Sequence, residues 1–130
     1  MEMIYTWGTS LQKNSSILLF LQSHKILLSF EIDNETIFVL FQNGVIDMTK
    51  QAVDDIPDAL IKGDKGAIEK LLTGDLLLRE LISLKQIFVQ SSFRKLLFLE
   101  SLFKLAHLQF NSEISKKQLD DIENGVIRFI

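Results

Sequence analysis

Histidine and acidic side chains are the residues of this sequence whose types could support catalysis or metal binding. His24 and His107 are the only two histidines, and they lie far apart, outside any spacing that is typical of a zinc site. The acidic pairs Asp54–Asp55 and Asp120–Asp121 do not form a proton-sharing dyad on their own, because adjacent residues of a helix point in different directions. The sequence therefore predicts no metal site and no catalytic residue.

Glycine and serine motifs that bind phosphate or carry out acyl transfer are also absent from the sequence. The stretch "GDKGAIEK" lacks the phosphate-loop spacing, so Gly63 and Gly66 are interpreted as turn residues. There is no G-x-S-x-G motif and no cysteine nucleophile. Catalysis would require Arg79, Glu80 or His107 to converge in the fold. A non-catalytic binding protein is the favoured hypothesis, and no cofactor is expected.

Composition and charge exclude further classes of protein. The net charge is −3, and the basic residues are scattered rather than interleaved with aromatic residues, which argues against nucleic-acid binding. The 130 residues, 47% of them hydrophobic, suit a single domain spanning 1–130. No apolar run approaches the ~18 residues of a membrane span, and the start lacks the basic region of a signal peptide. We expect a cytoplasmic protein, for which transient membrane contact stays open.

The element that would hold most of a binding site is a long apolar helix. The stretch "FRKLLFLESLFKLAHLQF" (residues 93–110) follows Ser91–Ser92, which can cap it. One stripe of the helix consists of Leu96, Leu99, Leu102, Phe103, Ala106 and Phe110. Phe98 and Leu105 lie on other sides, so the helix is apolar over more than one face. It is a central core helix, a helix roofing a ligand cavity or a dimer interface, and spacing alone does not distinguish these alternatives.

The remaining sequence predicts a sheet with helices. Thr9 and Ser10 can cap a first helix that runs toward His24. "KILLSFEID" predicts a half-buried strand, and "TIFVLFQ" predicts a central strand covered on both faces. Asn43–Gly44 predicts a hairpin turn into "VIDMTKQ", so residues 25–51 form an antiparallel meander.

The second half of the sequence predicts mainly helices. Short helical pieces broken by Pro57 and several glycines follow the meander, and "LLLRELISL" is ambiguous between helix and strand. "KQIFVQ" predicts a strand just before the long helix, and Ser112 or Ser115 starts a last helix. The fold class is α+β, with a mainly antiparallel sheet and helices packed on it.

The order of these segments is similar to that of the sterol carrier protein type two family. The segments that carry the resemblance read "FVLFQNGVIDM", "DALIKGD", "IEKLLTGD", "IFVQSS" and "FRKLLFLESLFKLA". They span about residues 15–106, whereas the tail 111–130 lies outside the part that matches. Ser91–Ser92 stands where the family commonly has a glycine-led turn.

The resemblance implies a twisted sheet of about five strands with helices on one side, enclosing an apolar tunnel. It implies binding of a lipid, such as a fatty acid, a fatty acyl thioester, a phospholipid or a sterol. From their place in the first turn of the long helix, Arg94 and Lys95 are expected to receive a carboxylate or phosphate head group; the alternative is a salt bridge to an acidic side chain or simple solvation. The expected tunnel lining is Phe38, Leu40, Ile87, Val89, Leu96, Leu99, Leu102, Phe103 and Ala106. The alternative is a protein-interaction or dimerisation domain with the same fold, and both a monomer and a homodimer are compatible with the sequence.

Overall fold

A computed structural model of the protein describes residues 2–107 and consists of a five-stranded sheet with helices on one face. The elements in chain order are α1 (Glu2–Gln12), α2 (Ser15–Leu21), β1 (Lys25–Ile32), β2 (Glu35–Gln42), β3 (Val45–Thr49), β4 (Ala59–Gly63), α3 (Lys65–Thr73), α4 (Leu78–Ser83), β5 (Ile87–Ser91) and α5, which is helical over residues 93–107. The spatial order of the strands is β3-β2-β1-β4-β5, and only the β1–β4 pair is parallel. The predicted α+β class is confirmed.

Local turn chemistry forms the antiparallel meander, as predicted. Asn43 and Gly44 have φ angles of 53° and 76°, the left-handed conformation that a two-residue hairpin requires at both positions. Asp33 and Asn34, with φ angles of 48° and 70°, make the same kind of turn between β1 and β2. Asp, Asn and Gly tolerate this conformation better than other residues do, so the two turns set the register of β1, β2 and β3.

The burial of the two central strands differs from the prediction. In β1, Leu27 and Ser29 are buried on the face away from the helices, because the connection before β4 passes over that end of the strand. There the backbone N–H of Leu27 donates to the Asp58 carboxylate at 2.8 Å. In β2, Phe38 and Leu40 are only half-buried. The prediction of a half-buried β1 beside a doubly covered β2 was wrong.

The first helix begins earlier than predicted and is divided in two. Ile4, Trp7 and Leu11 form a buried stripe that draws α1 back to Glu2. The cap is Asn14 rather than Thr9 or Ser10, since its side chain accepts a hydrogen bond from the Ile17 N–H at 3.1 Å and starts α2.

A strand replaces part of the helical region predicted after the meander. Ala59–Gly63 is β4, which pairs with β1 and with β5 and buries Ala59 and Ile61. Asp64 then caps α3 by accepting from the Ala67 N–H at 2.7 Å, and Gly74 ends α3 at φ +80°. The ambiguous stretch is the helix α4, and the strand predicted at "KQIFVQ" is confirmed as β5.

Trp7 lies at the centre of the contact between helices and sheet. Its ring is edge-on to Phe30 and Phe41 of the sheet, with centroid distances of 6.0 and 6.4 Å. It also stacks on Phe103 of α5 at 5.4 Å. These contacts place α1 and α5 on the same face of the sheet. The last predicted helix, the tail, Phe110 and Asp120–Asp121 lie outside the described residues.

Candidate functional site

The main candidate site, called the first cavity below, is an open cavity of about 510 Å³ lined by α1, α3 and the last described turn of α5. Apolar walls come from Met3, Trp7, Leu11, Leu72 and Ala106. The spacing of Trp7 and Leu11 places both on the inner stripe of α1. Ala106 has a small side chain, so α5 leaves space at that position where a larger residue would fill it.

Polar side chains surround this apolar interior. Lys65 and Glu69 of α3 line the cavity, and so does Glu2 at the start of α1. All three residues are exposed, and together they carry one positive and two negative charges. Hydroxyl groups are contributed by Thr6, Ser10 and Thr73. The cavity therefore presents an apolar wall inside and a slightly acidic rim outside.

Trp7 is the wall residue with an unusual polar group. Its side chain is nearly buried, with an exposed fraction of 8%. Its indole Nε1 is buried and finds no hydrogen-bond acceptor within the described residues 2–107. The sequence interpretation missed Trp7 as a site residue. The signal that could have found it is the apolar spacing Ile4, Trp7, Leu11 in a segment that was not assigned to a helix.

A second cavity of about 290 Å³ lies between α4, α5 and the connection after α3. Phe103, Leu71 and Leu76 contribute apolar wall, while Arg79 and His107 are also part of the lining. Two of the three residues that could support an enzyme are therefore brought together. The Arg79 guanidinium, however, pairs with the carboxylate of Glu100 from the same cavity.

Glu80, the third residue of that group, is used to stabilise a helix. Its side chain accepts a hydrogen bond from the backbone N–H of Leu77 at 3.1 Å and so caps α4. Among residues 2–107, no serine or threonine belongs to the lining of the second cavity. Within residues 2–107, no group of three histidine or acidic side chains is close enough to hold a metal ion.

The predicted tunnel residues divide between the two faces of the sheet. Ile87 and Val89 pair with Gly63 and Ile61, which puts them on the face that carries the helices. On α5, Ala106 lines the first cavity and Phe103 the second. Two further predicted residues of α5, Leu99 and Leu102, are fully buried in the core, and Leu96 is half-buried against it.

Phe38 and Leu40 lie on the opposite face from these residues. They pair with Ser29 and Leu27, whereas the alternate residues of β2 belong to the core under the helices. Phe38 lines a broad groove on that outer face, together with Ile56 and other residues of the connection before β4. The two predicted groups of lining residues therefore do not meet in one space.

The expected head-group residues lie at the start of α5. The Ser92 hydroxyl accepts from the Lys95 N–H at 3.2 Å, which confirms the predicted cap. The Lys95 ammonium is 3.4 Å from the Asp58 carboxylate, and Arg94 is exposed. At 1.5 Å per residue, Lys95 is about 16 Å along the helix from Ala106. Arg94 and Lys95 are thus at the far end of α5 from the first cavity.

None of the helices within residues 2–107 is long and apolar enough to cross a membrane. Neither a protein-family model nor a curated protein matches the sequence. Similarity is found among solved structures. A ubiquinone synthesis protein, UbiJ-SCP2, matches with a TM-score of 0.64 and 17% identity over 78% of this chain and 90% of that chain.

Two further solved structures show the same likeness. The sterol carrier protein domain 2 of Helicoverpa armigera matches with a TM-score of 0.61 and 11% identity, over 82% of this chain and 86% of that chain. A stereoselective inverting sec-alkylsulfatase from Pseudomonas sp. matches with a TM-score of 0.59 and 18% identity; the match covers 68% of this chain but only 14% of the sulfatase. With the strand order and helix layer described above, these matches show that the chain has the sterol carrier protein 2 fold.

Proposed function

We propose that the protein binds an apolar lipid, without catalysis, in the cavity between α1, α3 and α5. The observation that carries the proposal is this cavity, which has apolar walls on the helix side of a sterol carrier protein 2 fold. Its volume of about 510 Å³ falls within the roughly 300–1,000 Å³ that is typical of small-molecule sites. Solved proteins of the same fold include sterol carrier proteins, which supports a lipid as the ligand.

The energetics of burial allow useful affinity without any specific polar contact. Each buried methylene contributes about 0.8 kcal/mol, so an alkyl chain of ten methylenes gains roughly 8 kcal/mol. Lost translational freedom and chain ordering remove part of that gain. Because the favourable part is non-directional, we expect a site that accepts several alkyl chains of similar length.

The wall residues have separate roles in this proposal. Ala106 and Trp7 contact the ligand directly, since both line the cavity. Leu99 and Leu102 hold α5 against the sheet, and Phe103 supports the indole by stacking on it. Ile87 and Val89 belong to the sheet surface beneath α5, and Leu96 extends the apolar surface toward its start.

Native mass spectrometry of freshly purified protein, combined with displacement of Nile red by dodecanol, tests lipid binding. The decisive variant is Ala106→Phe, which fills the cavity from a residue that is 9% exposed. We expect at least a tenfold loss of dodecanol affinity. Ala52→Phe is the matched control, because Ala52 is exposed and lies outside the lining of the cavity. No bound lipid and no displacement in the natural protein would overturn the proposal.

A second candidate function is a protein-interaction or dimerisation domain. Apolar residues are exposed on the outer sides of α2 and α5: Leu19 at 71%, Phe93 at 68% and Leu97 at 41%. Phe20 of α2 stacks on Phe98 of α5 at 5.2 Å, so the two helices are neighbours there. A concentration series by analytical ultracentrifugation tests the homodimer, and a strict monomer at high micromolar concentration would remove it.

A further inference from the structure

The two edges of the sheet differ in how well they are protected. The edge strand β3 is covered by Gln12 of α1, whose side chain accepts a hydrogen bond from the Ile46 N–H at 2.8 Å and donates one to the Gly44 carbonyl at 3.3 Å. Asp47 adds an exposed charge to the same strand. Natural proteins use such covers and charges to keep an edge strand from pairing with another chain. The edge at β3 is therefore closed to a further strand.

The other edge is β5, which has none of these protections within residues 2–107. Its only strand neighbour there is β4, and no backbone hydrogen bond from outside the sheet reaches Ile87–Ser91. The strand sequence, IFVQS, contains no charge and no proline, and its register with β4 runs without a bulge. Isoleucine, phenylalanine and valine also favour the strand conformation. An edge of this kind presents a row of N–H and C=O groups with which another strand can pair.

Large apolar side chains are exposed on β5 and beyond both of its ends. Phe88 is 57% exposed on the strand itself, and Leu84 before the strand and Phe93 after it are also exposed. Exposed apolar side chains grouped along one segment indicate an interaction surface, because their contact with water is unfavourable. The edge at β5 therefore combines pairing groups of the backbone with apolar surface.

We propose that β5 pairs antiparallel with β5 of a second copy of the chain, so that the two sheets become continuous across a two-fold axis at Val89. In this register Phe88 lies across from Gln90 of the second copy, and Ile87 lies across from Ser91. Like charges directly opposite each other would destabilise such a pair, but the five residues of β5 are all neutral. The strand is therefore compatible with its own copy at every pair of positions.

The two-fold axis also brings together the apolar residues at the ends of β5. Antiparallel pairing puts the start of one strand beside the end of the other, so Leu84 of one copy and Phe93 of the second copy flank the same end of the pair. Because the axis repeats each contact, both ends gain this apolar cover. The inference goes beyond lipid binding, and it locates a homodimer at the sheet edge rather than on the outer sides of α2 and α5.

Single cysteines test the register, since the natural sequence contains no cysteine. Two copies of Val89→Cys would be directly opposite, with Cβ atoms about 4.5–5.5 Å apart, which a small adjustment brings to disulfide distance. Two copies of Phe88→Cys would be diagonal neighbours roughly 7–8 Å apart, too far for a disulfide. Random collisions would favour the more exposed Phe88→Cys, since Val89 is half-buried. Under mild oxidation we expect Val89→Cys to form the linked dimer about tenfold faster than Phe88→Cys.

Leu19→Cys and Val45→Cys are the matched controls. Leu19 lies on the exposed side of α2 and Val45 lies on the protected edge strand β3, and both side chains are more than half exposed. Both controls should be linked more slowly than Val89→Cys. Faster linkage of Phe88→Cys or Val45→Cys would indicate random collision, and faster linkage of Leu19→Cys would assign the homodimer to the surface of α2 and α5. Each of these results would overturn the inference.

The natural protein provides a test that needs no substitution. We expect a reversible monomer–dimer equilibrium at high micromolar concentration in the ultracentrifuge, because a strand pair buries less area than a standard interface does. Dimerisation should slow amide hydrogen exchange in β5 but not in β3. A strict monomer, or a dimer without slower exchange in β5, would overturn the inference. Among residues 2–107 the lining of the first cavity includes no residue of β5, so displacement of Nile red by dodecanol tests lipid binding separately.

Discussion

Gly74 is the position where one added methyl group should cost most, and the structure allows its cost to be worked out. Gly74 ends α3 with φ +80°, a conformation in which an L-residue with a Cβ is strained by roughly 1–2 kcal/mol. A Cβ at Gly74 would also overlap the imidazole ring of His107. Relieving that overlap requires a shift at the last described turn of α5, for which overpacking costs of ~1–3 kcal/mol are typical. We therefore expect Gly74→Ala to lower the free energy of unfolding by about 2–5 kcal/mol.

Gly66→Ala is the matched control, because it adds the same methyl group near the other end of α3. Gly66 is exposed, is not at positive φ, and its added Cβ would have ordinary contact with Asp64 at 3.5 Å. Alanine is favoured over glycine in a helix, so the control should raise stability by about 0.5–1 kcal/mol. Urea denaturation of both variants measures the two effects. Equal midpoints for the two variants, or a Gly74→Ala variant as stable as the natural protein, would refute the reasoning.

Two other substitutions test the roles of residues on α5. Leu99→Trp should lower the free energy of unfolding by about 1–3 kcal/mol, because Leu99 is fully buried in the core; unchanged stability with weaker lipid binding would instead indicate that it lines a cavity. Arg94→Gln combined with Lys95→Gln should leave the affinities for dodecanoate and dodecanol unchanged, because both residues lie at the far end of α5 from the proposed cavity. A loss that is larger for dodecanoate, and larger at low salt, would instead indicate that a carboxylate is received at the start of α5. Unchanged affinities for both ligands would leave Lys95 with one role, that of ion-pair partner of Asp58.

Features determined by neighbouring residues could be predicted from the sequence. The turn at Asn43–Gly44 depends on two residues that tolerate positive φ, and the positions of β1 and β2 could be predicted from apolar residues with strand periodicity, although the burial of their faces could not. The cap at Ser92 likewise needs only its own side chain and the following helix. In each case the competing conformation is disfavoured locally, so no knowledge of the tertiary structure is required.

Features that depend on distant contacts were not accessible in the same way. The strand β4 has only five residues, Ala59–Gly63. Its strand conformation comes from pairing with β1 and β5 on either side. The start of α1 depends on Trp7 reaching Phe41 and Phe103, which are 34 and 96 residues away in the sequence. The candidate site combines α1, α3 and α5, and no spacing within one segment specifies that combination.

The three alternatives for the long helix correspond to different sides of α5 in the structure. Leu99 faces the core, Ala106 faces the first cavity, and Phe93 and Leu97 are exposed. A helix that is apolar on several sides is therefore explained without choosing one neighbour for all of them. Lipid binding and partner binding would use separate surfaces, so a substitution at Leu97 should change association without changing lipid affinity. The Phe103 side chain lies between the two cavities, since it stacks on Trp7 of the first cavity and lines the second. Disturbance of the core near Phe103 should consequently reach the first cavity through the indole of Trp7.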